Sequence, residues 1–178
     1  MQNARIHRTA TIVIVIGIAL AALMIGQQTY FLWSVLIVDP SALARIYGLV
    51  DQTQIIPVTT RITYACVTTA PVVAGLAALW FGSSLMQHFR RSEYFKHSTT
   101  ISMARCGQGL VALGVISTLA RMIVIPLVTQ HNPAGQRSIS VLMNTHDVGF
   151  LLAGLLLWTT GWVMSEAIRI EAENKEFI

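Results

Sequence analysis

Four stretches of the chain are apolar on every side of any helix drawn through them: residues 10–38, 62–87, 106–130 and 148–165. An amphipathic helix of a soluble domain would keep one polar face, and a strand would alternate. These stretches do neither, and each is close to or above the roughly 20 residues that a helix needs to cross a hydrocarbon core about 30 Å thick. The first two have no charged residue, the third has only Arg121, and the fourth again has none. The pattern therefore predicts an all-α membrane protein in which residues 1–178 form a single domain of four transmembrane helices, arranged as an up-down bundle. The fourth span continues without a turn signal into EAIRIEAENKEFI, residues 166–178, where helical spacing persists while charge appears. That segment is expected to be a helical tail outside the membrane.

The polar stretches between the spans predict their connections. Asp39-Pro40 reads as an N-cap followed by proline at the first helical position, opening residues 40–50 with Leu43, Ile46, Tyr47 and Val50 on one side. The expected element is a short amphipathic helix lying on the outer membrane surface, or else an ordered loop with one helical turn. Pro57 ends it, and Pro71 and Pro126 fall inside spans, where kinks are expected. Ser98 or Thr99 is placed to cap the third helix ahead of its entry into the bilayer near Cys106. Asn132-Pro133 and Gly135 mark turns in the second outer loop, and Asp147 marks the start of the fourth span. Small residues recur at seven-residue spacing: Ala19 and Gly26, Gly75 and Gly82, Gly107 and Gly114, Gly154 and Gly161. In lipid, close backbone approach replaces hydrophobic driving force, so these faces are expected to be the packing seams of a left-handed bundle.

Composition agrees with the membrane reading and charge adds direction. Only 11% of residues are charged, against the roughly 25% usual for soluble chains. The net charge of +4 would suit nucleic acid if it were clustered on one surface, but eight of the twelve basic residues lie before the first span, between the second and third, or after the fourth. This is the positive-inside pattern, so it predicts both termini in the cytoplasm and no direct nucleic-acid partner. The 29-residue first apolar run is about twice the length of a secretory signal core, which argues for an uncleaved span. Cys66 and Cys106 fall near opposite ends of their spans, too far apart for a disulfide.

Two segments, SEYFKHSTTISMARCGQGL entering the third span and EAIRIEAENKEFI after the fourth, resemble the bacterial membrane family called "domain of unknown function 2975". The family typically ends in an acidic stretch around Glu-Asn, here Glu173-Asn174. Ser92 stands where many members have glycine, and the Asp-Leu-Thr-Val ending of others is absent. The resemblance implies four spans, cytoplasmic ends and location in a bacterial inner membrane. It also implies a tether or sensor for a small helix-turn-helix regulator.

Two groups of residues are candidates for function. A charge within a span costs a few kcal/mol on insertion scales and normally has a partner or a water path. Counted from the span ends, Arg121 reaches the same depth as Gln27, Gln28, Thr68 and Thr69, so these five form a candidate intramembrane polar cluster. The alternatives are that Arg121 snorkels to headgroups or pairs with Asp147. The second group is a cytoplasmic surface made by the basic loop, with Arg90, Arg91 and Lys96, and the tail, with Glu166, Arg169, Ile170, Glu173, Asn174 and Phe177. It reads either as a solvated helix end folded on the loop or as a docking element for a protein partner. The histidines sit at span ends, away from mid-span axial-ligand positions, and no nucleophile–base pair, paired intramembrane carboxylate or phosphate loop is present. No metal, cofactor or catalytic residue is expected. The expected function is that of a non-enzymatic membrane protein presenting this surface to a partner. The alternatives are an accessory subunit of a larger membrane complex, and a small transporter or cofactor-binding protein built on the Arg121 cluster.

Overall fold

The computed structural model describes residues 2–39, 41–47, 49, 56–91, 96–130, 132–133, 137 and 143–176, with side chains from residue 8 to 174 within those ranges. Among them every regular element is helical. The order is α1 (Gln2–Trp33), a π-helical turn (Ser34–Val38), α2 (Ala42–Ile46), α3 (Val58–Arg90), α4 (His97–Thr129) and α5 (Thr145–Glu176). The four long helices are each long and apolar enough to cross a membrane. At 32 or 33 residues and 1.5 Å per residue, each is about 48 Å long, some 18 Å more than the hydrocarbon core. The helices outlast their apolar runs because their backbone hydrogen bonds are satisfied internally in lipid and water alike. α3 and α4 run unbroken through Pro71 and Pro126.

Packing follows chain order: α1 lies on α3, α3 on α4 and α4 on α5. Each neighbouring pair is antiparallel. Gln28 meets Thr69 while Met24 meets Gly75, Cys106 approaches Gly82 while Ala78 approaches Gly109, and Gly107 abuts Gly154 while Ala104 abuts Gly161. One end of the molecule thus holds the start of α1, the end of α3, the start of α4 and the end of α5; the other is closed by residues 34–39, 41–47, 49 and 56. Between α1 and α5 the bundle is open, and the gap is an apolar groove of about 520 Å³.

The tightest seam is the one marked by glycine. A Cβ on Gly154 would stand 2.7 Å from the Gly107 carbonyl oxygen, and one on Gly161 would stand 2.8 Å from the Ala104 backbone nitrogen. Gly114 likewise faces the Asp147 carbonyl, at 3.1 Å. No side chain fits at Gly107, Gly154 or Gly161, and at Gly114 a neighbour would have to give by a few tenths of an ångström, so both seven-residue repeats on α4 and α5 lie in the contact. On α3 the match is partial: Gly75 meets only the flexible end of Met24, and Gly82 has ordinary clearance from the Cys106 sulfur. On α1 the expectation fails. Gly26 has nothing within 4 Å of a Cβ position, and Ala19 is exposed.

Two other local expectations are corrected. Neither Ser98 nor Thr99 caps α4: Lys96 holds the cap position without a side-chain bond, and the Thr99 and Thr100 amides take the Lys96 carbonyl. Thr99 and Thr100 are instead almost fully buried, and the Thr100 carbonyl reaches the Gly161 face of α5. Packing won over capping. At the closed end, α2 is not a surface helix. Its Ala42, Leu43 and Ala44 are buried, with Leu43 and Ala44 at 0% exposure, and Leu49 and Ile56 beside them are equally enclosed. They pack on Val35, Tyr64, Val124 and Val128, so α2 helps to seal this end of the bundle; of the side expected to be apolar, Leu43 is enclosed and Ile46 is exposed, and Val50 lies outside the described residues. Asp39 does not cap α2 directly. Its carboxylate takes the Ser41 amide at 3.0 Å and the Ser41 hydroxyl at 2.6 Å, and pairs with Arg45 on the exposed side.

Candidate functional site

The most buried charge in the described molecule is Asp147, placed by the start of α5. A helix start leaves amides without acceptors, and a carboxylate at the third helical position reaches back to the first of them. Here the Asp147 Oδ2 accepts the Asn144 amide at 3.2 Å, while the Asp147 amide bonds the Asn144 carbonyl at 2.9 Å. The same oxygen forms an ion pair with Arg121 on α4. The Thr118 hydroxyl, one turn back from Arg121, lies 3.4 Å from it and 3.0 Å from the Gly114 carbonyl. The Asp147 side chain is 3% exposed, and that of Arg121 is 36%. The negative charge therefore has an amide, a guanidinium and the positive end of the helix dipole around it, which together offset its removal from water.

Beside this pair is a pocket of about 160 Å³, with Thr68 and Pro71 of α3, Ser117 and Arg121 of α4, and Tyr47 after α2 among its walls. The Nε of Arg121 has no hydrogen-bond acceptor among the described residues. A second buried arginine lies at the same end. Arg61, 8% exposed, sends Nη1 to the Leu36 carbonyl at 2.9 Å, a group in the π-helical turn where α1 loosens. Its Nε also has no acceptor among the described residues. An aromatic cluster completes the end, with Tyr47 edge-on to Tyr64 at 6.1 Å and Phe31 tilted against Tyr64 at 6.1 Å. Burial pushes the Tyr47 phenol above its ordinary pKa, and its hydrogen bond with Tyr64 opposes that shift.

The five residues expected to cluster are thus divided. Thr68 and Arg121 share the small pocket. Gln28 donates Nε2 to the Thr69 hydroxyl at 3.4 Å across the α1–α3 seam, and Gln27 is exposed on α1. Equal depth along the helices does not fix rotation about them, and Thr68 and Thr69 point about 100° apart. Arg61 and Thr118 were missed. Thr118 stands three residues before Arg121, a spacing that puts both on one helix face. Arg61 looked like an ordinary flanking charge and only tertiary contact distinguishes it.

At the opposite end, Arg90 and Arg91 finish α3 and Lys96 precedes α4, all exposed. α5 continues past its contacts with α4. The contacts of Thr100 and Ala104 with Gly161 put the first residue of α4 level with residues 164–168, so about the last ten residues of α5 project some 15 Å beyond it. Arg169 pairs with Glu166 and, at 3.8 Å, with Glu173, and Arg169 to Asn174 are all exposed. Val163, Ala167, Ile170 and Asn174 make an uncovered stripe, with Ile170 49% exposed; Phe177 lies outside the described residues. His88 lies near the end of α3, and His97 and His146 lie at helix starts. No group of three or more potential metal ligands occurs among the described residues. No family model, curated protein or solved structure matches the chain.

Proposed function

We propose that the chain is a multi-pass protein of a bacterial inner membrane, with both termini in the cytoplasm, that presents the α5 tail to a soluble protein partner. The observation that carries this reading is the projecting, exposed segment after Glu166, whose apolar stripe is left uncovered while its charges are paired along its own helix. An apolar stripe flanked by alternating charge suits a helix-in-groove contact. The orientation rests on the basic residues at the tail end, and Lys96 with Arg90 and Arg91 flanks the proposed surface. The family resemblance adds a partner class, a small helix-turn-helix regulator tethered to the membrane, and a non-enzymatic role.

A specific observation favours a second reading, that of an accessory subunit in a larger membrane complex. On the side of α3–α4 away from the α1–α5 gap is an open groove of about 800 Å³, with Ala70, Ala74, Ala77, Gly109 and Ala112 among its lining residues. Small residues of this kind admit another transmembrane helix. The third reading, a ligand site at Arg121, has the ion pair with Asp147 against it, since that partner already answers the charge. Purification from membranes in mild detergent, with and without residues 170–178, separates the first two. A soluble partner captured by the full chain and lost with the tail is the expected result. Co-purification of membrane subunits regardless of the tail would replace it with the second reading.

A further inference from the structure

The gap between α1 and α5 ends at two arginines. The groove of about 520 Å³ is lined by Val13, Gly17 and Met24 of α1, Met86 of α3, and Phe150 and Leu157 of α5, together with other apolar residues. Along α1 it runs from Val13 to Met24, eleven residues or about 16 Å, which is half of a hydrocarbon core about 30 Å thick. That is the depth of a single leaflet. Next to its tail end, level with Ile14 on α1 and one to five residues past Met86 on α3, lies a separate polar space of about 250 Å³ lined by Ile14, Gln87, Arg90 and Arg91. Among the described residues neither Arg90 nor Arg91 has a carboxylate partner. The space is real at its centre, since Gly17 has nothing within 4 Å of a Cβ position, and Met24 and Met86 give it adaptable walls.

We infer that this is a binding site for one anionic phospholipid, with its phosphate held by Gln87, Arg90 and Arg91 and an acyl chain lying in the groove between α1 and α5. The occupant follows from the combination. An apolar slot one leaflet deep suits an acyl chain. Two guanidiniums beside its tail end, with no carboxylate partner among the described residues, suit a phosphate bearing net charge. A second copy of the chain filling the slot is an alternative that the test separates. The site assigns Arg90 and Arg91 to lipid rather than to a soluble partner, and it depends on the protein being in a membrane but not on the tail.

The test is native mass spectrometry and thermal melting of the full chain in detergent, with added dioleoyl phosphatidylglycerol, dioleoyl phosphatidylcholine or glycerol 1-phosphate. Phosphatidylglycerol is expected to remain bound as a single adduct and to raise the melting temperature, phosphatidylcholine to do so weakly, and the chainless phosphate not at all. Replacing both arginines, Arg90→Gln with Arg91→Gln, should weaken phosphatidylglycerol binding about thirtyfold, from about 1 kcal/mol per basic residue at an anionic headgroup, and remove the preference over phosphatidylcholine. Gly17→Leu, which fills the slot at a position with room for it, should weaken both lipids. Equal binding of the two lipids, an unchanged preference in the arginine variant, or full binding in Gly17→Leu would each overturn the site. So would a lipid-independent dimer disrupted by Gly17→Leu, which would assign the slot to a second copy. Loss of partner capture on tail deletion leaves these readings untouched, so the two proposals fail separately.

Discussion

α1 and α5 are both 32 residues long and both apolar enough to cross a membrane, yet they are held in opposite ways. α5 lies against α4 backbone to backbone at Gly107, Gly154 and Gly161, and its first turn is tied down by the Arg121–Asp147 pair. α1 meets α3 through the tip of Met24, a long hydrogen bond from Gln28 to Thr69 and the tilted contact of Phe31 with Tyr64. Most of its large side chains between Ile12 and Ile25 are exposed. In lipid an exposed leucine costs nothing, so apolar content cannot decide which helix is fixed. What decides is whether backbones can touch and whether a buried charge is answered by the neighbour.

The largest effect is expected from cutting the charge that fixes α5. Arg121→Leu leaves Asp147 with only the Asn144 amide and the Thr118 hydroxyl, and should cost about 3 kcal/mol, the lower end for a broken buried pair, since those donors remain. Unfolding in mixed micelles measures it, and the Arg121→Leu, Asp147→Asn double variant should recover part of the loss. If Arg121→Leu unfolds with the free energy of the parent chain, the pair does not hold α5. Next comes the seam itself. Gly107→Val drives a side chain into the Gly154 carbonyl and the Trp158 backbone and should cost about 2–3 kcal/mol, in the range for overpacking a rigid contact. The same assay reads it, and a neutral outcome would mean that the two helices separate without penalty. The smallest effect has the opposite sign. Gly26→Ala on α1 meets no neighbour and should stabilise by up to about 0.8 kcal/mol through helix propensity alone. Destabilisation there would show that α1 has a close partner after all and would remove the contrast between the two helices.

Legibility in the sequence varied with the physics behind each feature. The four helices were evident from uninterrupted apolar runs, because only a helix satisfies its own backbone across a hydrocarbon core. The α4 and α5 glycines were readable as a seam because a fixed seven-residue spacing keeps one face in line. The same spacing at Ala19 and Gly26 was no guide, since glycine is also frequent in helices that face lipid. Leu43 shows another limit. Its apolar face was evident, but a membrane surface and a protein cap satisfy such a face equally, and only the presence of Tyr64, Val124 and Val128 above it resolves the choice. The Arg121 site was half visible: an intramembrane charge announces that a partner exists, while rotation about the helix axis, which separates Thr68 from Thr69, is not written in depth.

By itself, then, the sequence determined that four segments are helices long and apolar enough to cross a membrane, because that depends on residue type and run length alone. The tertiary structure decided which of two apolar helices is anchored, that Ala42, Leu43 and Ala44 are buried, and that Asp147 rather than the glutamines answers Arg121. It also decided that the α1–α5 gap stays open above Arg90 and Arg91. These depend on distances between residues far apart in the chain, and in lipid no hydrophobic term favours one helix arrangement over another. Backbone clearance and charge pairing are left to choose.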